Sequence, residues 1–327
     1  MSSKIRIGIS GYGNLGRGVQ AALAKNSDME LVGVYSRRDP KALQLVDPAP
    51  RFHVDQLASH TEKIDVLILC GGSRSDLPAQ GPKYAALFNT VDSFDTHARI
   101  PEYFDSVDGP ATKAGKTALI SAGWDPGMFS INRAYGEALL PDGETYTFWG
   151  RGLSQGHSDA IRRIPGVAAG VQYTIPSAEA IEQVRAGLRP VLGTRDKHQR
   201  ECFVVLERGA DEAAVREAIV TMEHYFDEYD TTVNFIDAQT MAAEHANMPH
   251  GGFVFRAGNT SEEQKQVIEY SLTLGSNPEF TSSVLVAYAR AVHRMNRAGI
   301  IGAQTVFDVA PGLLSQKSAA QLRAEML

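Results

Sequence analysis

Apolar and polar positions along the chain fall into two rhythms. Residues 5–9 alternate on the strand period (Ile5, Ile7, Ile9) and pass through Gly11, Gly13 and Gly16 into a helical stretch carrying Val19, Ala21, Ala22 and Leu23. Residues 30–36 read as a second strand, 40–46 as a short polar helix or loop, and 51–54 as a weak strand. Residues 64–70, IDVLILC, are an unbroken apolar run of the kind a parallel strand shows when both its faces are covered. A helix over 77–87, a strand over 89–92, a further helix and a strand over 117–121 continue the alternation. This β-then-α order predicts an α/β fold with a doubly wound, Rossmann-type parallel sheet.

Beyond about residue 140 the spacing changes. Longer amphipathic strand candidates cover 145–150, 171–175, 198–206, 231–236, 253–257 and 267–274, with a helix over 213–222. They predict an α+β domain whose mixed or antiparallel sheet has one face covered by helices, and an open sheet of this kind can also form a subunit interface. Val284, Leu285, Ala287, Tyr288, Ala291, Val292 and Met295 keep helical spacing over 281–298, with capping residues at 281–283 and Gly299 as a stop. This helix is expected to pack back on the first domain. The expected division is 1–124 joined by 278–327, and 125–277.

Composition narrows the class. The chain has 327 residues, 43% hydrophobic and 21% charged, which is ordinary for a water-soluble protein of two domains. A formal charge of −6 argues against a nucleic acid or an anionic membrane as partner. Cys70 and Cys202 sit in apolar strand contexts and read as buried thiols rather than a disulfide, which suits a cytoplasmic location. No signal-peptide core or run of membrane-spanning length is visible.

The glycines carry the first chemistry. In a G-x-G-x-x-G between strand and helix, Gly11 permits the tight turn and Gly13 lets the backbone approach a pyrophosphate. Gly16 permits close helix packing, and the helix N-terminus offers free N–H groups to the anion. The second strand ends in Ser36, Arg37 and Arg38 with no acid at its tip, a set that suits the 2′-phosphate of NADP better than the ribose hydroxyl of NAD. Cys70, Gly71, Gly72 and Ser73 form a small-residue turn at the ligand-binding edge of the predicted sheet. Asp95 and Asp125 stand at the ends of later strands. Beside Trp124, they read as a carboxylate pair able to receive a substrate ammonium and accept its proton, in a nicotinamide cleft. Residues 148–159 hold Trp149, Gln155 and Gly156 among small and polar residues, including Arg151, Ser154, His157, Ser158 and Asp159, and read as a binding loop. Thr174, Arg200 and His250 are weaker single candidates. No H-E-x-x-H, C-x-x-C or G-x-S-x-G is present, so neither a metal site nor a serine nucleophile is expected.

Seven blocks together resemble the meso-diaminopimelate D-dehydrogenases, NADP-dependent bacterial enzymes of the one-step lysine branch. They are GYGNLGR (11–17), YSRR (35–38), GWDPGMFSINR (123–133), TFWGRGLSQGHSDAIRRIPGV (147–167), NFID (234–237), MPHGG (248–252) and NPEFT (277–281). The resemblance implies a homodimer that oxidatively deaminates the D-centre of meso-2,6-diaminopimelate to L-2-amino-6-oxopimelate and ammonia. It implies cofactor contacts at Tyr12, Gly13, Asn14 and Leu15, at Ser36, Arg37 and Arg38, at Cys70, Gly71, Gly72 and Ser73, and at Ser93, Phe94 and Asp95. Implied substrate contacts are Asp95, Asp125, Trp149, Gln155, Gly156, Thr174, Arg200, His250 and Asn277. The competing readings are a Rossmann-type NADPH reductase of another small substrate and a non-catalytic NADPH-binding regulator.

Overall fold

A computed structural model of the chain describes residues 4–327. It divides into two compact units, the described part of Met1–Ile131 with Pro278–Leu327, and Asn132–Asn277.

The first unit opens with β1 (Ile5–Ser10), α1 (Asn14–Leu23), β2 (Met29–Ser36) and β3 (Arg51–His53). It continues through β4 (Val66–Leu69), α2 (Leu77–Ala85), β5 (Asn89–Asp92), α3 (Ile100–Lys113) and β6 (Thr117–Leu119), and α4 (Met128–Leu139) begins in it. The strands stand in the order β3-β2-β1-β4-β5-β6, all parallel, as the β/α alternation predicts. The run at 64–70 explains why β4 is central. Val66 and Ile68 enter one apolar cluster and Leu67 and Leu69 the other, so both faces of the strand are covered and all four side chains are fully buried. Residues 40–42 form a single 3₁₀ turn, and a longer 3₁₀ stretch over Val54–Lys63, which buries Leu57, had no sequence signal.

The second unit holds β7 (Gly143–Trp149), β8 (Gly152–Leu153), α5 (Gln155–Ile161), β9 (Val167–Pro176), α6 (Ala178–Arg185), α7 (Thr194–Lys197) and β10 (His198–Leu206). After them come α8 (Glu212–Val220), β11 (Asp230–Phe235), α9 (Ala238–Glu244), β12 (His250–Ser261) and β13 (Gln264–Leu274). The predicted single sheet is in fact two: a mixed β11-β10-β9-β8 sheet and an antiparallel β13-β12-β7 sheet. Gly150 explains the split. It holds φ +111°, and a Cβ there would lie 2.1 Å from the carbonyl oxygen of Thr174, so only glycine turns the chain from β7 beside β12 to β8 beside β9.

The C-terminal segment of the first unit consists of most of α10 (Asn277–Arg297), β14 (Gly302–Gln304) and α11 (Ala319–Met326). α10 starts four residues before the expected cap: Pro278 fits a first helical turn, where its missing N–H loses no partner. Ser282, expected to cap, is instead fully buried inside the helix and shares its hydroxyl between the carbonyls of Pro278 (2.7 Å) and Leu15 (2.8 Å). Arg290, 2% exposed, binds both carboxylate oxygens of Asp28 at 2.6 and 2.7 Å. β14 pairs parallel with β6 as the seventh strand of the sheet.

Candidate active site

At the carboxyl end of β1 the backbone itself forms the anion cradle. Gly11 holds φ +94°, where a side chain would be strained. A Cβ at Gly16 would lie 2.2 Å from the Gly11 carbonyl oxygen, so this glycine closes the turn on itself rather than against the strand. A Cβ at Gly13 would meet nothing within 4 Å, and α1 starts with no side-chain cap on its N–H groups. These features fit a dinucleotide pyrophosphate. Tyr12 contributes only backbone: its ring is buried and its hydroxyl donates to Gln20 and accepts from the N–H of Val46 at 2.9 Å. Leu15 packs partly on the core.

The β2 tip carries its cations beside this turn. Arg38 donates to the Tyr12 carbonyl, its own N–H donates to Ser36 Oγ at 3.1 Å, and Arg37 pairs with Asp76 at 2.9 Å. Both guanidiniums are exposed. The nearest following acid, Asp39, accepts from the N–H of Lys41 at 2.9 Å and so is occupied in its own turn. Asp76 also accepts from the Gly72 N–H at 3.0 Å, tying the Cys70–Ser73 turn to the Arg37 turn. The Asp95 N–H donates to Ser73 Oγ at 3.1 Å, joining the next loop. Cys70 and Cys202 are free thiols whose burial pushes their pKa values up, Cys202 to about 12.

Asp95 is exposed and Ser93 half-buried, while the Phe94 ring is buried and stacks on Tyr103 at 4.2 Å, leaving only its backbone to face a ligand. Sequence reasoning missed Asp92. This fully buried carboxylate accepts from the N–H groups of Phe94 (3.0 Å) and Ser121 (3.1 Å) and from the Tyr103 hydroxyl (2.7 Å), so it fixes both strand-end loops of the pair. Burial pushes its pKa up. An acid closing the otherwise uncharged strand NTVD was the available signal. In the tight turn at Gly123–Gly127, Asp125 is half-buried and Trp124 is 8% exposed, edge-on to Phe129 at 5.3 Å.

In the second unit, strand register brings scattered candidates together. Arg200 on β10 lies opposite Thr174 on β9, which lies opposite Gly152 on β8. A Cβ at Gly152 would lie 2.4 Å from the ring of His250, so that imidazole packs on the glycine. His250 begins β12 rather than preceding it. Gln155 donates to the Met248 sulfur (3.2 Å), and the Asn277 N–H donates to the Met248 carbonyl (2.9 Å). Residues 148–159 are not a loop. Ser154 caps α5 by accepting from the His157 N–H, Ser158 Oγ donates to the Ser154 carbonyl at 2.6 Å, Asp159 pairs with Arg162 and Arg163, and Arg151 pairs with Glu201 at 2.6 Å. Gln155 and Gly156 are thereby placed, exposed, in the first turn of that helix.

Arg200 is the electrostatic centre of this group. It is 7% exposed, forms no ion pair among the described residues, donates through Nη1 to Thr174 Oγ1, and leaves its buried Nε–H without a partner. Its guanidinium carbon lies 3.7 Å from the centroid of the Tyr229 ring. Burial pushes its pKa down, as it does those of His157 and His198, both to about 4 with the Arg200 charge as second cause. Neutral His198 accepts from the Trp149 N–H at 2.9 Å through Nε2 and stacks with the indole at 5.3 Å, which leaves Trp149 37% exposed.

Comparison with known proteins finds the chain similar to diaminopimelate dehydrogenases. The profile described as the diaminopimelic acid dehydrogenase C-terminal domain matches residues 123–276. The meso-diaminopimelate D-dehydrogenase of Ureibacillus thermosphaericus is 62% identical over 325 residues, covering 99% of this chain and 100% of that protein. The structure of the C. glutamicum DAP dehydrogenase in complex with DAP superposes with TM-score 0.92 at 48% identity over 100% of both chains. An engineered D-amino acid dehydrogenase bound to NADP+ superposes with TM-score 0.86 at 46% identity, covering 99% of this chain and 100% of that one.

Proposed function

The chain belongs to the meso-diaminopimelate D-dehydrogenase family, and from that premise we propose how its residues divide the work. The reaction is the reversible, NADP-dependent oxidative deamination of the D-centre of meso-2,6-diaminopimelate, in lysine biosynthesis. NADP, when bound, would supply the acceptor for the hydride that leaves the D-configured Cα. The imine so formed on the substrate is attacked by water, and ammonia leaves to give L-2-amino-6-oxopimelate.

The Gly11–Leu15 turn holds the pyrophosphate through backbone N–H groups, and Ser36, Arg37 and Arg38 hold the 2′-phosphate. The turn at Cys70–Ser73 and the backbone of Ser93, Phe94 and Asp95 line the rest of the cofactor. Asp95 and Asp125 receive the D-amino group and take up its proton. Gln155 and the Gly156 N–H bind the D-carboxylate against Trp149, with the Trp124 turn beside Asp125. Arg200, Thr174, His250 and Asn277 hold the L-end.

One observation carries this reading: Arg200 is a buried cation with no anionic partner among the described residues and one donor unused. Such a charge is costly to bury, and a substrate carboxylate supplies the missing partner. A diacid whose two ends differ only in handedness needs such a fixed anchor if only its D-centre is to react.

The test is NADP+ reduction by the purified protein with meso-, LL- and DD-diaminopimelate and D-lysine. The meso isomer is expected to turn over fastest and the LL isomer not at all. Turnover of the LL isomer, or a preference for NAD+, would overturn the assignment. Arg200→Ala is expected to raise the KM for meso-diaminopimelate roughly thirtyfold or more; an unchanged KM would remove the anchor. We further propose a cytoplasmic homodimer, supported by the family resemblance and by the exposed apolar residues Leu188 and Val191 of the second unit. Sedimentation equilibrium at monomer mass would overturn the dimer.

A further inference from the structure

The face of Arg200 is covered as well as its edge is open. The guanidinium carbon lies over the Tyr229 ring, 3.7 Å from its centroid, and this ring belongs to the turn that leads from α8 into β11. Thr174 takes one N–H at Nη1, and Nε remains without a partner. A planar guanidinium offers a carboxylate its in-plane N–H edge, and Tyr229 holds that group in place both through its ring and through its hydroxyl, a hydrogen-bond partner of the same side chain. Thr174 pins a single nitrogen, around which the plane can still tilt, and Arg200 has no acid partner among the described residues.

The geometry points to Tyr229 as a positioning residue for selectivity. By holding the Arg200 guanidinium from its ring side it presents the Nε edge to the second carboxylate of the substrate, and it sets the preference for an amino diacid over a D-amino acid that lacks that group. This inference rests on the reading of Arg200 as the distal-carboxylate anchor. The ring supplies the contact surface and the hydroxyl a hydrogen bond to the same side chain, so both hold the guanidinium. Tyr229 acts through Arg200 alone, so its effect falls on affinity and not on the chemical step.

Steady-state kinetics on Tyr229→Phe, Tyr229→Leu, Arg200→Ala and the Tyr229→Leu/Arg200→Ala pair test it, with thermal unfolding of each variant recorded alongside. Tyr229→Leu is expected to raise the KM for meso-diaminopimelate roughly tenfold, with kcat within about twofold of the parent. Tyr229→Phe, which keeps the ring but not the hydroxyl, is expected to recover part of that loss. With Arg200 already replaced, adding Tyr229→Leu is expected to raise KM by less than about twofold, because the residue acts only through Arg200. Equal KM for Tyr229→Leu and the parent, or an undiminished tenfold effect in the Arg200→Ala background, would overturn the inference while leaving the anchor standing. An unchanged KM in Arg200→Ala would instead overturn the anchor itself. A fall in kcat that tracks lost thermal stability, equal for Phe and Leu, would reduce Tyr229 to a packing residue and also overturn the proposal.

Discussion

Individual residues in this protein are tuned by what buries them. His157 and His198 have pKa values pushed down to about 4 from 6.5, by burial first and then by the Arg200 charge. An imidazole held below its ordinary pKa takes up its proton more readily in the unfolded chain. Its contribution to stability is therefore complete above pH 6.5 and is lost as the pH falls toward 4. The melting temperature is expected to fall steeply across that window, and His198→Asn to flatten the fall; a profile identical to the parent would refute the role given to His198. Asp92 acts by its acceptors. Asp92→Ala leaves the Phe94 and Ser121 N–H groups buried without partners and is expected to cost about 2–4 kcal/mol in urea unfolding, with Asp92→Asn losing less because it keeps an acceptor oxygen. Little of this was legible beforehand. Thr174, Arg200 and His250 are isolated letters until strand register makes them neighbours. Tyr12 and Phe94 looked like ligand contacts because a motif names positions and does not say which way a ring points.

At the scale of elements, legibility followed the strength of the local pattern. The first strand, glycine turn and helix were readable because one short segment carries the alternation, the glycines and the helical spacing together. α5 was not, since Gly156, His157, Ser158 and Asp159 are poor helix formers and Ser154 looked like a ligand group rather than a cap. The start of α10 was misplaced because Thr281 resembles a cap while Pro278 resembles a stop. The glycine turn yields a paired prediction. Gly13→Ala, whose new methyl enters open space, is expected to keep the melting temperature within about 2 °C while raising the KM for NADP roughly tenfold or more. Gly16→Ala, whose methyl would meet the Gly11 carbonyl oxygen, is expected to lose both stability and cofactor affinity. Equal melting temperatures for the two variants would contradict the geometry.

For the whole molecule, cofactor choice is a matter of linkage as well as rate. Anything that binds only the folded chain stabilises it by mass action, by about 2.7 kcal/mol at a hundredfold excess over Kd. NADP+ is accordingly expected to raise the melting temperature and NAD+ at the same concentration to do so far less, with Arg37→Ala/Arg38→Ala abolishing the difference. Differential scanning calorimetry without substrate measures this, and equal shifts in the parent protein would refute the 2′-phosphate assignment. The α/β alternation of the first unit was plain in the chain, whereas the two sheets of the second read as one, because the switch between them rests on a single glycine's backbone angle.

The return of α10 and β14 to the first unit bears on biogenesis. Val284, Leu285, Val286, Tyr288, Ala289, Val292 and Met295 belong to the same apolar cluster as Ile7, Ile9 and Val34, and the seventh strand of the sheet is residues 302–304. On the ribosome, the earliest-made strands must therefore wait, with one greasy flank uncovered, until residues 284–304 have been made. A nascent chain stalled near residue 277 should be a chaperone client rather than a finished nucleotide lobe.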